Sequence, residues 1–216
     1  MIKRLLTATL LLWAFTVNAG TFSIESSSTT GAKYLFYYAN VTEGDNLELD
    51  EIMLMLEEDP MWSGKMFIQG PGGMHETALA IMQTVKEYKI DTIVWHENKC
   101  LSACALIWAA GENKVVGENA KIGFHFPYIP LSVSSDNPYQ KYLELNGWPE
   151  TISAIEWSVF DSLATYYDIF GDTIKDWAAF MRGYIETTRE KFWYVSKFEM
   201  EKIFTNVTFR ELPKTE

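Results

Sequence analysis

Between Tyr34 and His125 short apolar runs of strand length alternate with segments whose apolar residues recur three and four apart. That alternation confines the chain to an α/β architecture more tightly than any other feature. Tyr34 to Ala39 is continuous and aromatic, as a buried strand is. Leu47, Leu49, Ile52, Met53 and Leu56 then fall close to helical spacing, with acidic residues between them. Lys65 to Gln69 predicts a second strand, which runs into Gly70-Pro71-Gly72-Gly73 as a strand-to-helix turn. Ala78, Ile81, Met82 and Val85 predict a helix from His75 to Tyr88, and Asp91 to Trp95 a further strand. Leu101 to Ala110 is small and apolar without alternation, which predicts a buried helix ended by Gly111. Lys114 to Val116 and Lys121 to His125 add two strands, so the expected core is a mainly parallel sheet with helices packed around it. From Tyr139 to Tyr184 the pattern turns helical, with breaks at Gly147-Trp148-Pro149 and Gly171, and Ser196 to Arg210 predicts a short helix and a last strand.

The first residues have a separate character. Lys3 and Arg4 precede an apolar run from Leu5 to Phe15, and Val17-Asn18-Ala19 supplies small residues before Gly20, the order of a secretory signal. The run is short for a bilayer span, which needs about 20 apolar residues. Cleavage is expected after Ala19, leaving residues 20 to 216 as a single domain, periplasmic or secreted. Losing Lys3 and Arg4 takes the formal net charge from −11 to −13, which argues against a nucleic-acid partner. A composition 48% hydrophobic and 15% aromatic is ample for a packed core, and only the Ser/Thr-rich stretch Ser26 to Thr30 reads as disordered. Two triplets of glycosylation type, Asn40-Val41-Thr42 and Asn206-Val207-Thr208, are treated as chance.

In open α/β sheets functional groups gather beyond the carboxyl ends of parallel strands. Three sites qualify. Gly70-Pro71-Gly72-Gly73 exposes backbone N–H groups next to a helix start, which suits a developing oxyanion and equally suits an ordinary tight turn; no Gly-Lys-Ser/Thr follows to make it a phosphate loop. Ser102, in Cys100-Leu101-Ser102-Ala103-Cys104, opens the buried helix, where a serine serves as a cap or as a nucleophile. His125 ends a strand 23 residues later, as the base such a serine needs. His96 also follows a strand and is the less favoured substitute.

Taken together, a strand into Gly-Pro-Gly-Gly, a helix, a strand, Cys-x-Ser-Ala-Cys leading an alanine-rich helix, and Ile-Gly-Phe-His resemble the Clp-protease/crotonase superfamily, and within it the exported Clp-like proteins. The likeness runs from about Tyr34 to Pro127, with a weaker echo over Tyr194 to Val207. It implies a spiral core of repeated β-β-α units with a mainly parallel sheet and a C-terminal helical segment. It also implies Ser102 as nucleophile, His125 as base, and the amides of Gly72 and Ala103 as oxyanion donors, with Gly73 the neighbouring candidate. The aspartate of Clp-type proteases has no clear counterpart. Glu190 is the nearest carboxylate to its position, Asp172 and Asp176 lie earlier, and a Ser-His dyad is the remaining option.

The expected function is therefore an exported serine peptidase acting on peptide or protein, with no cofactor and no ATPase partner. A crotonase-type acyl-CoA enzyme fits less well, because the Ser-Ala pair and the histidine match the protease arm. The rival from another class is a catalytically inactive binding or scaffold protein on the same fold. The stretch from Tyr139 to Tyr184, with Trp148, Trp157, Tyr166, Tyr167 and Trp177, is expected to be a lid, a homo-oligomer contact, or internal core. Cys100 and Cys104, four residues apart, are either bonded or two buried thiols; a bond needs Cys100 off the helix. His75, His96 and His125 make no metal-spaced cluster with them.

Overall fold

The stretch Ser26 to Thr30 is the turn of a hairpin, not a disordered segment. Ser27 N–H donates to Ala32 O at 2.8 Å, and Ser27 Oγ accepts from the amides of Thr29 and Thr30, so serine and threonine supply the turn's own hydrogen bonds. The hairpin joins β1 (Thr21–Ser26), which the sequence reading did not foresee, to β2 (Lys33–Val41), antiparallel from Thr21 opposite Tyr38 to Ser26 opposite Lys33. The computed structural model describes residues 21–125, 169–185, 187 and 191–211. The expected signal segment (residues 1–19), Glu190, and the part of the helical stretch carrying Trp148, Trp157, Tyr166 and Tyr167 lie outside the described residues.

Helix α1 (Asp45–Leu56) buries Leu49, Ile52, Met53 and Leu56, while Leu47 points outward. Its first residue, Asp45, is buried and accepts from Tyr37 O–H at 2.6 Å and from the amide and hydroxyl of Thr42 at 2.8 Å each. Burial, and then the Asp45 carboxylate, push the Tyr37 hydroxyl far above its ordinary range. Strand β3 (Trp62–Gly73) follows and pairs in parallel with β2. Here the expected turn is corrected: Gly70 to Gly73 continues the strand, with Asn40 beside Gly72 and Val41 beside Gly73. Positive φ at Gly72 (101°) and Gly73 (150°) lets the strand twist there without ending.

The remaining elements repeat one unit. Helix α2 (His75–Glu87) leads to β4 (Asp91–Val94) and β5 (Lys99–Leu101), helix α3 (Ala103–Ala109) to β6 (Lys114–Gly117) and β7 (Lys121–Phe124). Beyond residue 168 come a 3-10 turn (Gly171–Thr173), α4 (Trp177–Ile185), β8 (Trp193–Tyr194), α5 (Lys197–Ile203) and β9 (Val207–Arg210). The first half of β3 pairs with β4, then β6 and β9 follow, all parallel; its end pairs at Gly70 with Cys100 of β5, then come β7 and antiparallel β8. The chain thus winds as a spiral in which each turn places one strand in each row, a curled and mostly parallel sheet.

Between sheet and helices lies one core. Trp108, Phe124, Phe180 and Phe204 are fully buried and meet ring to ring, Phe124 5.5 Å from Phe180 and Trp108 5.4 Å from Phe204. Trp177 packs against Phe180 at 6.0 Å and Tyr184 stacks on it at 5.6 Å. No helix among the described residues is long and apolar enough to cross a membrane.

At α5, Ser196 Oγ accepts from the Glu199 amide while Glu199 accepts from the Ser196 amide, a capping box. These bonds to Ser196 hold the Glu199 carboxyl below its ordinary 4.5. Because the folded value is the depressed one, the contribution is complete above the unfolded value and fades as pH falls through the folded one. Ser196→Ala is expected to cost about 1 kcal/mol at neutral pH, read from urea unfolding, with a smaller difference from wild type at pH values that protonate Glu199.

Candidate active site

Ser102 is the single residue between β5 and α3. Its backbone has φ 55° and ψ −128°, a region that side-chain-bearing residues avoid at a cost of about 1–3 kcal/mol. A strand that must reverse into a helix within one residue forces that conformation, and it lifts the side chain clear of both elements. The elbow is pinned on both sides: Ser102 N–H donates to Gly123 O at 2.8 Å, and Ser102 O accepts from Leu106 N–H at 3.2 Å.

Strand pairing brings the histidine to it. β5 and β7 run parallel with Leu101 beside Gly123, so His125 stands one residue beyond the position facing Ser102. Ser102 Oγ and His125 Nε2 are 2.6 Å apart, hydrogen-bonding distance, and both residues are half-buried. The His125 ring rests on Phe192, centroids 4.6 Å apart at 50°, which fixes one face of the imidazole.

Gly72 closes the third side. A Cβ there would lie 2.4 Å from Ser102 Cβ, 2.7 Å from Leu101 O and 2.9 Å from Ala103 N. Only a glycine lets β3 approach the elbow and the first amide of α3 so closely. As the first helical residue, Ala103 has an N–H with no intrahelical acceptor. At Gly73 a Cβ would instead lie 2.1 Å from Val41 O, against β2. The obstructing atoms at Gly72 are backbone or Cβ, with no flexible tip to yield. Gly72→Ala is therefore expected to lower stability by about 2–3 kcal/mol; an unchanged urea midpoint contradicts this packing.

Cys100, on β5, and Cys104, on α3, are joined in a disulfide with Cα atoms 5.2 Å apart. The bond spans the elbow, and both cysteines are buried.

The other predicted residues lie apart from this pair or outside the described residues. Asp176 accepts from the Ala179 amide at 2.9 Å and pairs with Lys202 at 3.3 Å, so it caps α4 and ties it to α5. Asp172 lies in the 3-10 turn, its side chain outside what is described. His96 accepts from the Glu118 amide through Nδ1 at 2.9 Å and packs on Trp95, leaving the serine contact to His125. Burial lowers the pKa of His75, at the start of α2. Among the described residues no cluster of His, Cys, Asp and Glu could hold a metal ion.

An open cleft of about 360 Å³ runs along the β3–β5 seam, lined by Gln69, Gly70, Pro71, Lys99 and Leu101. Sequence reasoning missed Phe192 as the support of His125 and Gly123 as the partner of the elbow. The run Phe192-Trp193-Tyr194 was a signal for the former. Nothing short of the strand register could have found the latter.

The sequence profile of the family described as Clp protease matches residues 24–155, more than half of the chain. A search of curated proteins finds no match.

Proposed function

Because the chain belongs to the Clp protease family, we propose that it is a serine peptidase in which Ser102 is the nucleophile and His125 its base. The observation that carries the reading is the 2.6 Å contact between Ser102 Oγ and His125 Nε2 at a strained elbow. With the imidazole neutral at Nε2, Ser102 O–H donates to it. As Oγ attacks a carbonyl carbon, the proton passes to His125 and negative charge gathers on the carbonyl oxygen. The Ala103 amide at the start of α3 and the amide of Gly72, on the strand that packs against the elbow, receive that charge. Collapse of the intermediate expels the amine, which takes the proton from His125, and water repeats the sequence on the acyl-serine. No cofactor enters these steps.

The substrate is a peptide or unfolded protein segment, admitted along the cleft beside Leu101. The signal-like residues 1–19 and a disulfide of the kind that persists in oxidising compartments support an exported chain, cleaved after Ala19 and working without an ATPase. Family membership supports a homo-oligomer.

A mixed library of short peptide amides and esters tests the substrate class. Wild type is expected to release product from a subset and to carry an acyl mass when quenched in acid, and Ser102→Ala to do neither. Turnover of simple esters with every peptide left intact would overturn the peptidase reading.

A further inference from the structure

We infer that the Cys100–Cys104 disulfide is the device that holds Ser102 in its reactive elbow, so that the serine is competent only in the oxidised chain. The inference rests on the reading of Ser102 as nucleophile and adds its regulation.

Placement is the first ground. Cys100 is the middle residue of β5, Cys104 the second residue of α3, and Ser102 the one residue between those elements. The bond therefore ties the strand's end to the helix's start across the residue whose backbone is strained. A backbone in that region persists only where its surroundings over-determine it. Among the described residues the restraints on Ser102 are two backbone hydrogen bonds, its side-chain contact with His125, the crowding by Gly72, and this bond, the one covalent member of the set.

Loop length is the second ground. A disulfide's effect on the unfolded chain grows with the loop it closes. This one closes a loop of five residues, Cys100 to Cys104, so it restrains the unfolded chain little. The fold has its own support in the buried core that surrounds both cysteines. What remains for the bond to do is local: set the angle between β5 and α3, and with it the position of Oγ against His125.

Formation of the bond is a two-electron oxidation. Two thiols become one S–S bond, and two electrons and two protons pass to a disulfide-carrying oxidant, which leaves as a dithiol. Before that step the only covalent link between β5 and α3 is the Leu101-Ser102-Ala103 backbone, and Ser102, held by hydrogen bonds and packing alone, can relax out of the left-handed region. Displacement of a reacting atom by about 1 Å is enough to lower a rate on the order of 100-fold.

The test is a redox titration of the chain beginning at Gly20 in thiol–disulfide buffers of graded potential. Free thiols are trapped by alkylation and counted by mass, the rate of fluorophosphonate labelling of Ser102 is measured on the same samples, and near-UV circular dichroism follows the fold. The expected result is a labelling rate that falls about 100-fold with the same midpoint as thiol appearance, while the fold signal stays. Cys100→Ala/Cys104→Ala is expected to label at the slow rate at every potential. A rate indifferent to potential, a double variant as fast as oxidised wild type, or a fold signal lost together with the bond would each overturn the inference and leave the serine reading standing. Absence of labelling in oxidised wild type would overturn the serine reading and the inference with it.

Discussion

His125→Ala should lower the second-order rate at which an activated ester acylates Ser102 by about 1,000-fold or more, with little change in melting temperature. A serine hydroxyl is a weak nucleophile at neutral pH because its proton must leave as the new bond forms. In this fold the acceptor within reach of Ser102 Oγ is His125 Nε2, at 2.6 Å. Residual reactivity would come from the Gly72 and Ala103 amides, which the substitution does not touch. The small effect on stability follows from position: His125 lies just past the end of β7, half-buried, with its ring on Phe192. Equal acylation rates in the two proteins would mean that the close Ser-His contact has no chemical role.

Trp108→Ala should cost about 3–5 kcal/mol of stability, the largest loss expected from any single core truncation here. Trp108 is the largest fully buried side chain among the described residues, in the last turn of a helix whose every residue is buried. It packs edge-on against Phe204 of the segment that carries the chain into β9, so its removal leaves a cavity between the first spiral turns and the last. Trp108→Phe should cost less than half as much. The indole N–H has no hydrogen-bond partner among the described residues, and an unsatisfied buried donor opposes folding by about 1–3 kcal/mol, which phenylalanine relieves while refilling most of the volume. Urea unfolding of the three proteins decides it. An alanine variant within 1 kcal/mol of wild type, or a phenylalanine variant as damaged as the alanine one, contradicts this account of the core.

Much of this was legible from the residue pattern, and the misses have physical causes. Period-3.6 and continuous apolar runs located β2, β4, α1, α2 and β7, since each buries a face large enough to leave a pattern. β5 and β8 escaped because Lys99-Cys100-Leu101 and Trp193-Tyr194 are too short to have a period. Both are defined by their partners in the sheet, not by their own composition. Gly70 to Gly73 was read as a turn because glycines and proline usually end a strand. Here β2 and β5 pair with it on either side, and positive φ at Gly72 and Gly73 keeps it extended. For the site, Ser102 and His125 could be named from their places after strands, and Gly72 from the oxyanion expectation. The separation of Gly72, on the serine, from Gly73, on Val41, could not, because it depends on which side of a twisted strand each Cβ direction falls.

Whether Ser102 is an activated nucleophile is decided by labelling the folded, oxidised chain with a fluorophosphonate probe and mapping the adduct by mass spectrometry of its peptides. One adduct is expected, on Ser102, and none on the Ser102→Ala variant. An unlabelled wild type, or an adduct at another residue that persists in Ser102→Ala, would contradict it and turn the search toward a binding role for the fold.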